Sequence, residues 1–395
     1  MSETYQLRPL TPDQLDLIAQ CVPILEDLNT KLGSKFYKRA MRRYPYLTPY
    51  FNETHHKLLR QPRAFVHALT QFAKHIHDMT PLRDVLDRIV HKHVGLQVRP
   101  EHYPLLAGVL LETMTDMFPP ELTSRPDFLP TWTTVYGNLA AVLINAEEKE
   151  YATKAWFGFK EFRVTRVQEE CKETKSVYIT PVDGVPILKP LRGQYLCMRW
   201  MLPGAKVEKS RVYSILEYPR GNEYRVTVRR IPGGQVSGYI HDQLGVGDLV
   251  YSGPPCGCVC YKSGTADLVV LAGGNGISAL MPVIEAGLEE CRHVTLMYSN
   301  RSVETRSFLE LLKEYKRDYG DQFRVIEYMS RGRYTDPIDE FCNRSLTLED
   351  LEFITPDHDV YLIGPRGYMK MIDDYLRARE VKPALDYFGP QEVTV

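Results

Sequence analysis

Apolar positions recur at helical spacing through the first 150 residues. Thr11-Pro12-Asp13-Gln14 forms a capping box with proline at the first helical position, and Leu15, Ile18, Val22, Leu25 and Leu28 follow it. Further amphipathic stretches cover about 33–44, 60–77, 82–94 and 101–117, and no alternating strand precedes residue 160. Phe128 to Ala146 runs for 19 residues without a charge, yet it contains Pro130, three threonines, two asparagines and Gly137. Those residues argue against a membrane span. The recurrence of Leu129, Trp132, Tyr136, Ala140 and Leu143 argues instead for a buried helix in an all-α module.

The pattern then changes twice. From 160 on, Phe162 to Val167 and Lys175 to Ile179 alternate, with turns at Val182-Asp183-Gly184, Leu202-Pro203-Gly204 and Ile231-Pro232-Gly233-Gly234. Short strands between frequent turns predict a small antiparallel β-barrel over about 160–262. From Asp267 on, the apolar strands Leu268–Ala272, His293–Tyr298, Phe323–Met329 and Asp359–Ile363 alternate with helical stretches, one at 305–317. That predicts a doubly wound parallel α/β domain. The chain therefore reads as a multidomain α and α/β protein, with domains at 1–150, 151–262 and 263–395.

Composition narrows the function classes. The 395 residues carry a formal net charge of −1, which gives no electrostatic footprint for nucleic acid or an anionic membrane. No low-complexity stretch suggests disorder. The N-terminus lacks the apolar core of a signal peptide, so the eight cysteines do not read as a disulfide framework and a cytoplasmic location is expected. Eight of the eleven histidines lie at or before His102.

Two stretches of the later domains carry nucleotide chemistry. Gly273-Gly274-Asn275-Gly276-Ile277-Ser278-Ala279 follows a buried strand and opens a helix, where glycines let the backbone approach a pyrophosphate. On its own the motif is weak, and a plain glycine turn of any α/β protein is the better account of it. The next strand ends in Tyr298-Ser299-Asn300-Arg301 with no acid for a ribose; its arginine can meet a 2′-phosphate or simply be solvated. In the barrel, Gly193-Gln194-Tyr195, Arg211-Val212-Tyr213-Ser214 and Gly233-Gly234-Gln235-Val236-Ser237 offer an arginine for phosphate, aromatic rings for a flat cofactor and a glycine turn beside a hydroxyl. Asp386-Tyr387-Phe388-Gly389-Pro390 places an aromatic pair near the end of the chain. In this order, with Ile363-Gly364-Pro365, the motifs resemble the ferredoxin-reductase-like flavoproteins over about 160–395.

In the helical module, His93 continues the stripe Val85, Leu86, Ile89, while His91 lies off it. A buried histidine is either a satisfied core residue or a ligand. Glu147 continues the stripe Tyr136–Ala140–Leu143, so it either partners something inside or frays at the helix end. Gln61 and Phe65 share a face leading to Leu69 and Phe72, with Tyr37 and Phe51 on earlier segments. Phe36-Tyr37, Tyr50-Phe51-Asn52, Gln61, His91-Lys92-His93, Pro100-Glu101-His102-Tyr103 and Ile144-Asn145-Ala146-Glu147 resemble, in order and spacing, the globin domain of the flavohemoglobins.

That resemblance covers the whole chain and implies cofactors haem b, FAD and NADH or NADPH. It implies His93 as the iron ligand, backed by Tyr103 and Glu147, which lend it imidazolate character. It further implies Tyr37 and Gln61 as distal polar residues, Phe51 wedged against the haem, and Lys92 at the haem edge where electrons enter. Tyr195, Arg211, Val212, Tyr213, Ser214, Asp386, Tyr387, Phe388, Gly389 and Pro390 then hold FAD, together with the turn Gly234, Gln235, Val236 and Ser237. Gly274, Asn275, Gly276, Ile277, Ser278 and Ala279 hold the nicotinamide nucleotide. The implied activity is nitric oxide dioxygenase: electrons pass from NAD(P)H through FAD to haem, and oxygen converts nitric oxide to nitrate. A monomer is expected, with a lipid in the distal pocket as an open question.

Three departures stand out: Phe65 where the family has leucine, Ile363 where it has cysteine, and the alternating Cys256, Cys258 and Cys260, expected to share a buried strand face. Two alternative functions remain at this stage, a haem-based gas or redox sensor and a reductase for another acceptor.

Overall fold

The computed structural model describes residues 6–51, 59–217, 219, 221–332 and 336–386. Contacts divide it into two compact units. One is built on the chain up to Gly158 with Gly204–Ser210, and the other on Phe159–Pro203 and the chain from Arg211.

The first unit is helical: α1 (Pro12–Arg43), α2 (Arg60–Lys74), α3 (Arg83–Leu96), α4 (His102–Thr115) and α5 (Phe128–Tyr151). The capping box starts α1, with Thr11 and Gln14 exchanging side-chain and backbone hydrogen bonds. The helix is broken at Asn29, whose backbone leaves the helical region. Its buried stripe is Leu17, Ile18, Cys21, Leu25, Leu32 and Phe36; the expected Ile18 and Leu25 lie in it, while Leu15, Val22 and Leu28 are half-buried at its edges. Likewise α5 buries Phe128, Trp132, Val135, Tyr136 and Leu143 while Leu129 is exposed. A stripe of this width tolerates either edge, and the packing partner picks one. None of the described helices is long and apolar enough to cross a membrane.

The second unit holds two sheets. β1 (Lys160–Cys171), β2 (Thr174–Pro181), β3 (Tyr195–Trp200), β4 (Lys209–Ser214), β5 (Tyr224–Arg229) and β6 (Leu249–Ser252) form an antiparallel sheet of order β4-β3-β6-β1-β2-β5. A short helix, α6 (Gln235–Asp242), follows β5. The parallel sheet has β7 (Leu268–Gly273), β8 (Val294–Asn300), β9 (Phe323–Met329), β10 (Glu340–Cys342), β11 (Asp359–Ile363) and β12 (Ala384–Leu385), in the order β10-β9-β8-β7-β11-β12. Helices α7 (Ile277–Glu289), α8 (Leu309–Tyr319) and α9 (Arg366–Arg377) pack on it. β7 is buried throughout, as its unbroken apolar run requires. The topological switch lies at β7, between β8 on one side and β11 on the other.

Two expectations need correction. The helix anticipated at 305–317 begins only at Leu309. Val303–Thr305 form a 3-10 turn, and Arg306 is drawn inward to pair with the buried Glu327 at 3.0 Å. The cysteines at 256–260 do not share a buried strand face. Cys256 makes an isolated bridge to Tyr195, Gly257 sits at φ +128°, and Cys258 is exposed. None of the eight cysteines forms a disulfide.

α1 approaches α2 closely at Gly33, where a Cβ would stand 2.3 Å from the Pro62 carbonyl oxygen. Gly33→Ala is expected to cost about 1–3 kcal/mol of local stability. Native-state hydrogen exchange should show faster opening of α1 and α2, and unchanged protection there would refute the steric account.

Candidate functional site

Three elements of the helical unit converge on His93. The histidine lies in the last turn of α3, Tyr103 in the first turn of α4, and Glu147 near the end of α5. Glu147 Oε1 accepts from His93 Nδ1 at 2.7 Å and from the Tyr103 hydroxyl at 2.5 Å, and the Tyr103 oxygen lies 3.0 Å from Nδ1. Glu147 is 2% exposed, and its Oε2 has no hydrogen-bond partner. Burial first, then the Glu147 charge, raises the Tyr103 phenol far above its ordinary range. Such a carboxylate is costly to bury and needs the partners it has. With Nδ1 committed, the imidazole of His93, 31% exposed at its side chain, presents Nε2 outward. This donor set fits a metal ligand with its carboxylate backing. Lys92 is half-buried beside it, and His91 turns away to pair with Glu150 at 3.1 Å.

A second cluster gathers four predicted residues. Tyr37 meets Phe51 edge-on at 5.2 Å and Phe65 at 5.8 Å between ring centroids, while Phe65 stacks on Phe36 at 4.5 Å and 11°. The larger side chain at 65 thus lies flat on a neighbouring ring. Burial raises the Tyr37 phenol above its ordinary range, and a hydrogen bond with Gln61 opposes it. Tyr136 of α5, read from sequence only as core, is coupled to both clusters, which periodicity could not reveal. It is buried, and the charges of both Tyr37 and Glu147 reinforce the upward shift that burial gives its phenol.

In the antiparallel sheet, Tyr195 is buried with no partner for its hydroxyl, and its backbone pairs with Cys256. Gly257 lets the chain lie against its ring, since a Cβ there would be 3.2 Å from the ring carbons. Arg211, Val212, Tyr213 and Ser214 lie on β4, with Tyr213 edge-on to Trp200 at 6.5 Å. Burial pushes the Cys197 thiol, near Arg211 and Cys256, up to about 12. It is therefore a packing group at neutral pH. Asp386 lies near enough that its charge, after burial and Cys256, raises the Tyr195 phenol. Tyr387, Phe388, Gly389 and Pro390 lie outside the described residues. Gly234 caps α6, with Gln235 exposed and Val236 buried, and the Ser237 hydroxyl accepts from the Ile231 amide at 3.1 Å. The orphaned hydroxyl and the arginine-bearing strand fit a flat, phosphate-bearing cofactor.

The glycine loop is tied to β11. A Cβ on Gly276 would stand 2.3 Å from the Ile363 carbonyl oxygen, and one on Gly273 would meet the ring of Pro365 at 2.7 Å. The Ser278 hydroxyl donates to the Asn275 carbonyl at 2.8 Å, and Asn275 Oδ1 is buried without a partner. Ile277, Ser278 and Ala279 are buried at the start of α7. Small residues therefore let the loop seat closely at the switch point, where open α/β sheets bind nucleotides.

The raised phenols set a pH dependence. A tyrosine whose folded pKa exceeds its unfolded value near 10 contributes full stability below that value and loses it as pH rises through the folded pKa. Alkaline unfolding should therefore steepen above about pH 10. Tyr37→Phe/Tyr103→Phe should show a shallower loss in chemical denaturation at stepped pH. An identical slope would contradict this origin.

The globin family matches residues 34–143, and the oxidoreductase NAD-binding domain family matches 270–374. The Candida albicans flavohemoprotein is 50% identical over 398 residues, covering 99% of this chain and all of its own. The Schizosaccharomyces pombe flavohemoprotein is 38% identical over 99% of this chain and 94% of its own. The crystal structure of a Malassezia yamatoensis flavohemoglobin with bound FAD and heme shares the fold, with TM-score 0.86 at 21% identity, covering 96% of this chain and all of that one. The flavohem-like FAD/NAD binding domain of a Vibrio cholerae nitric oxide dioxygenase aligns with 58% of this chain and 99% of its own, with TM-score 0.52 at 26% identity. With relatives of 50% and 38% identity each covering 99% of its length, the chain belongs to the flavohemoprotein family.

Proposed function

We propose that this chain is a nitric oxide dioxygenase, using haem b, FAD and NADH or NADPH to turn oxygen and nitric oxide into nitrate. The observation that carries the reading is the buried His93–Glu147–Tyr103 cluster. Family membership and the NAD-binding oxidoreductase match support an NAD(P)H-dependent flavohaem oxidoreductase. The name of the Vibrio relative supports the finer activity. The proposed division is a haem domain at 1–150, an FAD domain at 151–262 and a nucleotide domain at 263–395.

When bound, FAD accepts a hydride as two electrons and releases them singly, which a one-electron haem requires. His93 would hold the iron through Nε2, and Glu147, accepting from Nδ1, would make that ligand electron-rich, which would favour oxygen chemistry over reversible storage. Tyr103 holds the carboxylate in register. Tyr37, with its raised pKa, keeps its proton at neutral pH and can donate to an oxygen substrate gaining negative charge. Gln61 orients that hydroxyl, and Phe51 and Phe65 keep the side dry. Tyr195 and Arg211 fit the flavin, and the loop at 274–279 fits the nucleotide pyrophosphate.

The reading predicts that purified protein absorbs as haem and flavin together. It should consume nitric oxide at the expense of NAD(P)H and form nitrate in stoichiometric amount. His93→Ala should abolish nitrate formation while NAD(P)H-dependent reduction of an artificial dye persists. Haem- and FAD-loaded protein that makes no nitrate would overturn the proposal. Glu147→Gln should lower the iron–histidine stretching frequency in resonance Raman spectra and slow nitrate formation. An unshifted frequency would remove Glu147 from its assigned role.

A further inference from the structure

α3, which carries His93, stops at Gln97 in the left-handed conformation, at φ +63° and ψ 42°. Many helices stop this way, usually on glycine, because a side chain is strained there. The Val98 amide donates to the His93 carbonyl at 2.9 Å, so the turn closes on the peptide of the histidine itself. What the glutamine adds is its side-chain amide. The residue is 2% exposed, and the amide is committed at both ends. Nε2 donates to the Val94 carbonyl at 2.7 Å, and Oε1 accepts from the Gly158 amide at 2.6 Å, 61 positions along the chain. A buried amide oxygen left without a donor is costly, so this contact holds Gly158 firmly.

The chain leaves the helical unit at Gly158 and enters the second at Phe159. The segment that leads there folds back over residues 97–99. The Tyr151 hydroxyl donates to the Val98 carbonyl at 2.7 Å, and the Arg99 guanidinium lies 5.4 Å over the Phe157 ring, which also meets the Tyr151 ring at 5.0 Å. Gly158 sits at φ +83°, and a Cβ there would meet nothing within 4 Å, so glycine serves the turn and not a tight fit. Within the second unit, the Arg199 guanidinium lies 3.8 Å over the Phe159 ring, and Lys160 pairs with Ser252 at the start of β1. Two anchors, one in each unit, thus fall on consecutive residues.

We propose that Gln97 is a positioning residue for electron transfer from flavin to haem, acting by mooring the connecting segment to the turn that ends the His93 helix. The inference rests on the reading above that electrons pass between these cofactors. A short tether keeps two linked groups at high effective concentration, and slack lowers it roughly as the −3/2 power of tether length. With Gly158 moored, the slack is confined to the peptide bond between the two anchors. Freed at Gln97, it extends back towards Phe157 and Tyr151, which are held by a guanidinium over a ring and by a single hydroxyl. Electron transfer weakens steeply with separation, so a slack tether makes it wait on diffusive encounter.

Anaerobic stopped-flow reduction of the full-length holoprotein by NAD(P)H tests this, together with hydrogen exchange read by mass spectrometry over residues 152–159. Gln97→Met keeps the side-chain volume and removes the amide. It should leave flavin reduction and the iron–histidine stretching frequency unchanged, and the Gly158 amide should lose its protection. Haem reduction should slow at least about fivefold and become sensitive to added viscogen, which a loss of packing alone does not produce. Inserting Gly-Ser-Gly after Gly158 leaves Gln97 intact and should give the same viscosity-dependent slowing, so the tether is read even if the substitution prevents folding. Unchanged haem reduction in either altered protein, or slowing accompanied by a shifted iron–histidine frequency, would overturn the inference. An unsubstituted protein whose flavin is reduced but whose haem never is would instead overturn the dioxygenase reading.

Discussion

The helical unit is organised around one ionised group that cannot be buried alone. Glu147 sits inside the protein with one oxygen shared between the His93 imidazole and the Tyr103 hydroxyl. Removing a carboxylate from water costs several kcal/mol unless charge-assisted hydrogen bonds replace the lost solvation. The ends of α3, α4 and α5 therefore have to meet at this point. A group held this way also fixes the imidazole, so the same arrangement that solves a burial problem sets which ring nitrogen is turned away from the carboxylate. The aromatic packing of Tyr37, Phe51, Phe65 and Phe36 forms a low-dielectric surround in which the Tyr37 proton is hard to remove.

The second unit answers a different constraint, the close approach of backbone to backbone. Gly276 packs on the Ile363 carbonyl and Gly273 on the Gly364-Pro365 turn, so the loop after β7 and the end of β11 act as one piece. The antiparallel sheet is joined to it by polar contacts at the β1–β2 turn and by Arg225, which pairs with Glu170 at 2.7 Å and lies over the Phe308 ring. Charged residues gather at that junction, where Glu173 bridges Arg229 and Arg301.

Much of this was legible in the chain. The capping box at Thr11, the wholly apolar β7 and the strand–glycine–helix transition are local signals, and local structure follows them. The apolar stripe pointed to His93 and Glu147 as inward-facing polar residues, because a polar residue on such a stripe demands an explanation. What failed was also local. Cys256, Cys258 and Cys260 alternate like strand residues, yet Gly257 at positive φ breaks the extended path and leaves Cys258 in solvent. Periodicity likewise ran the helix back to 305, where a buried ion pair with Glu327 holds Arg306 outside it.

The sequence by itself determined the order of the modules, most element positions and the family, since these depend on periodicities and motifs within short windows. Only the tertiary structure decided which residues meet. His93, Tyr103 and Glu147 are separated by 10 and 44 positions, and Gln97 and Gly158 by 61. Hydrophobic spacing records which face of an element is buried, not which element it is buried against. The partners of a buried charge are set by that second fact.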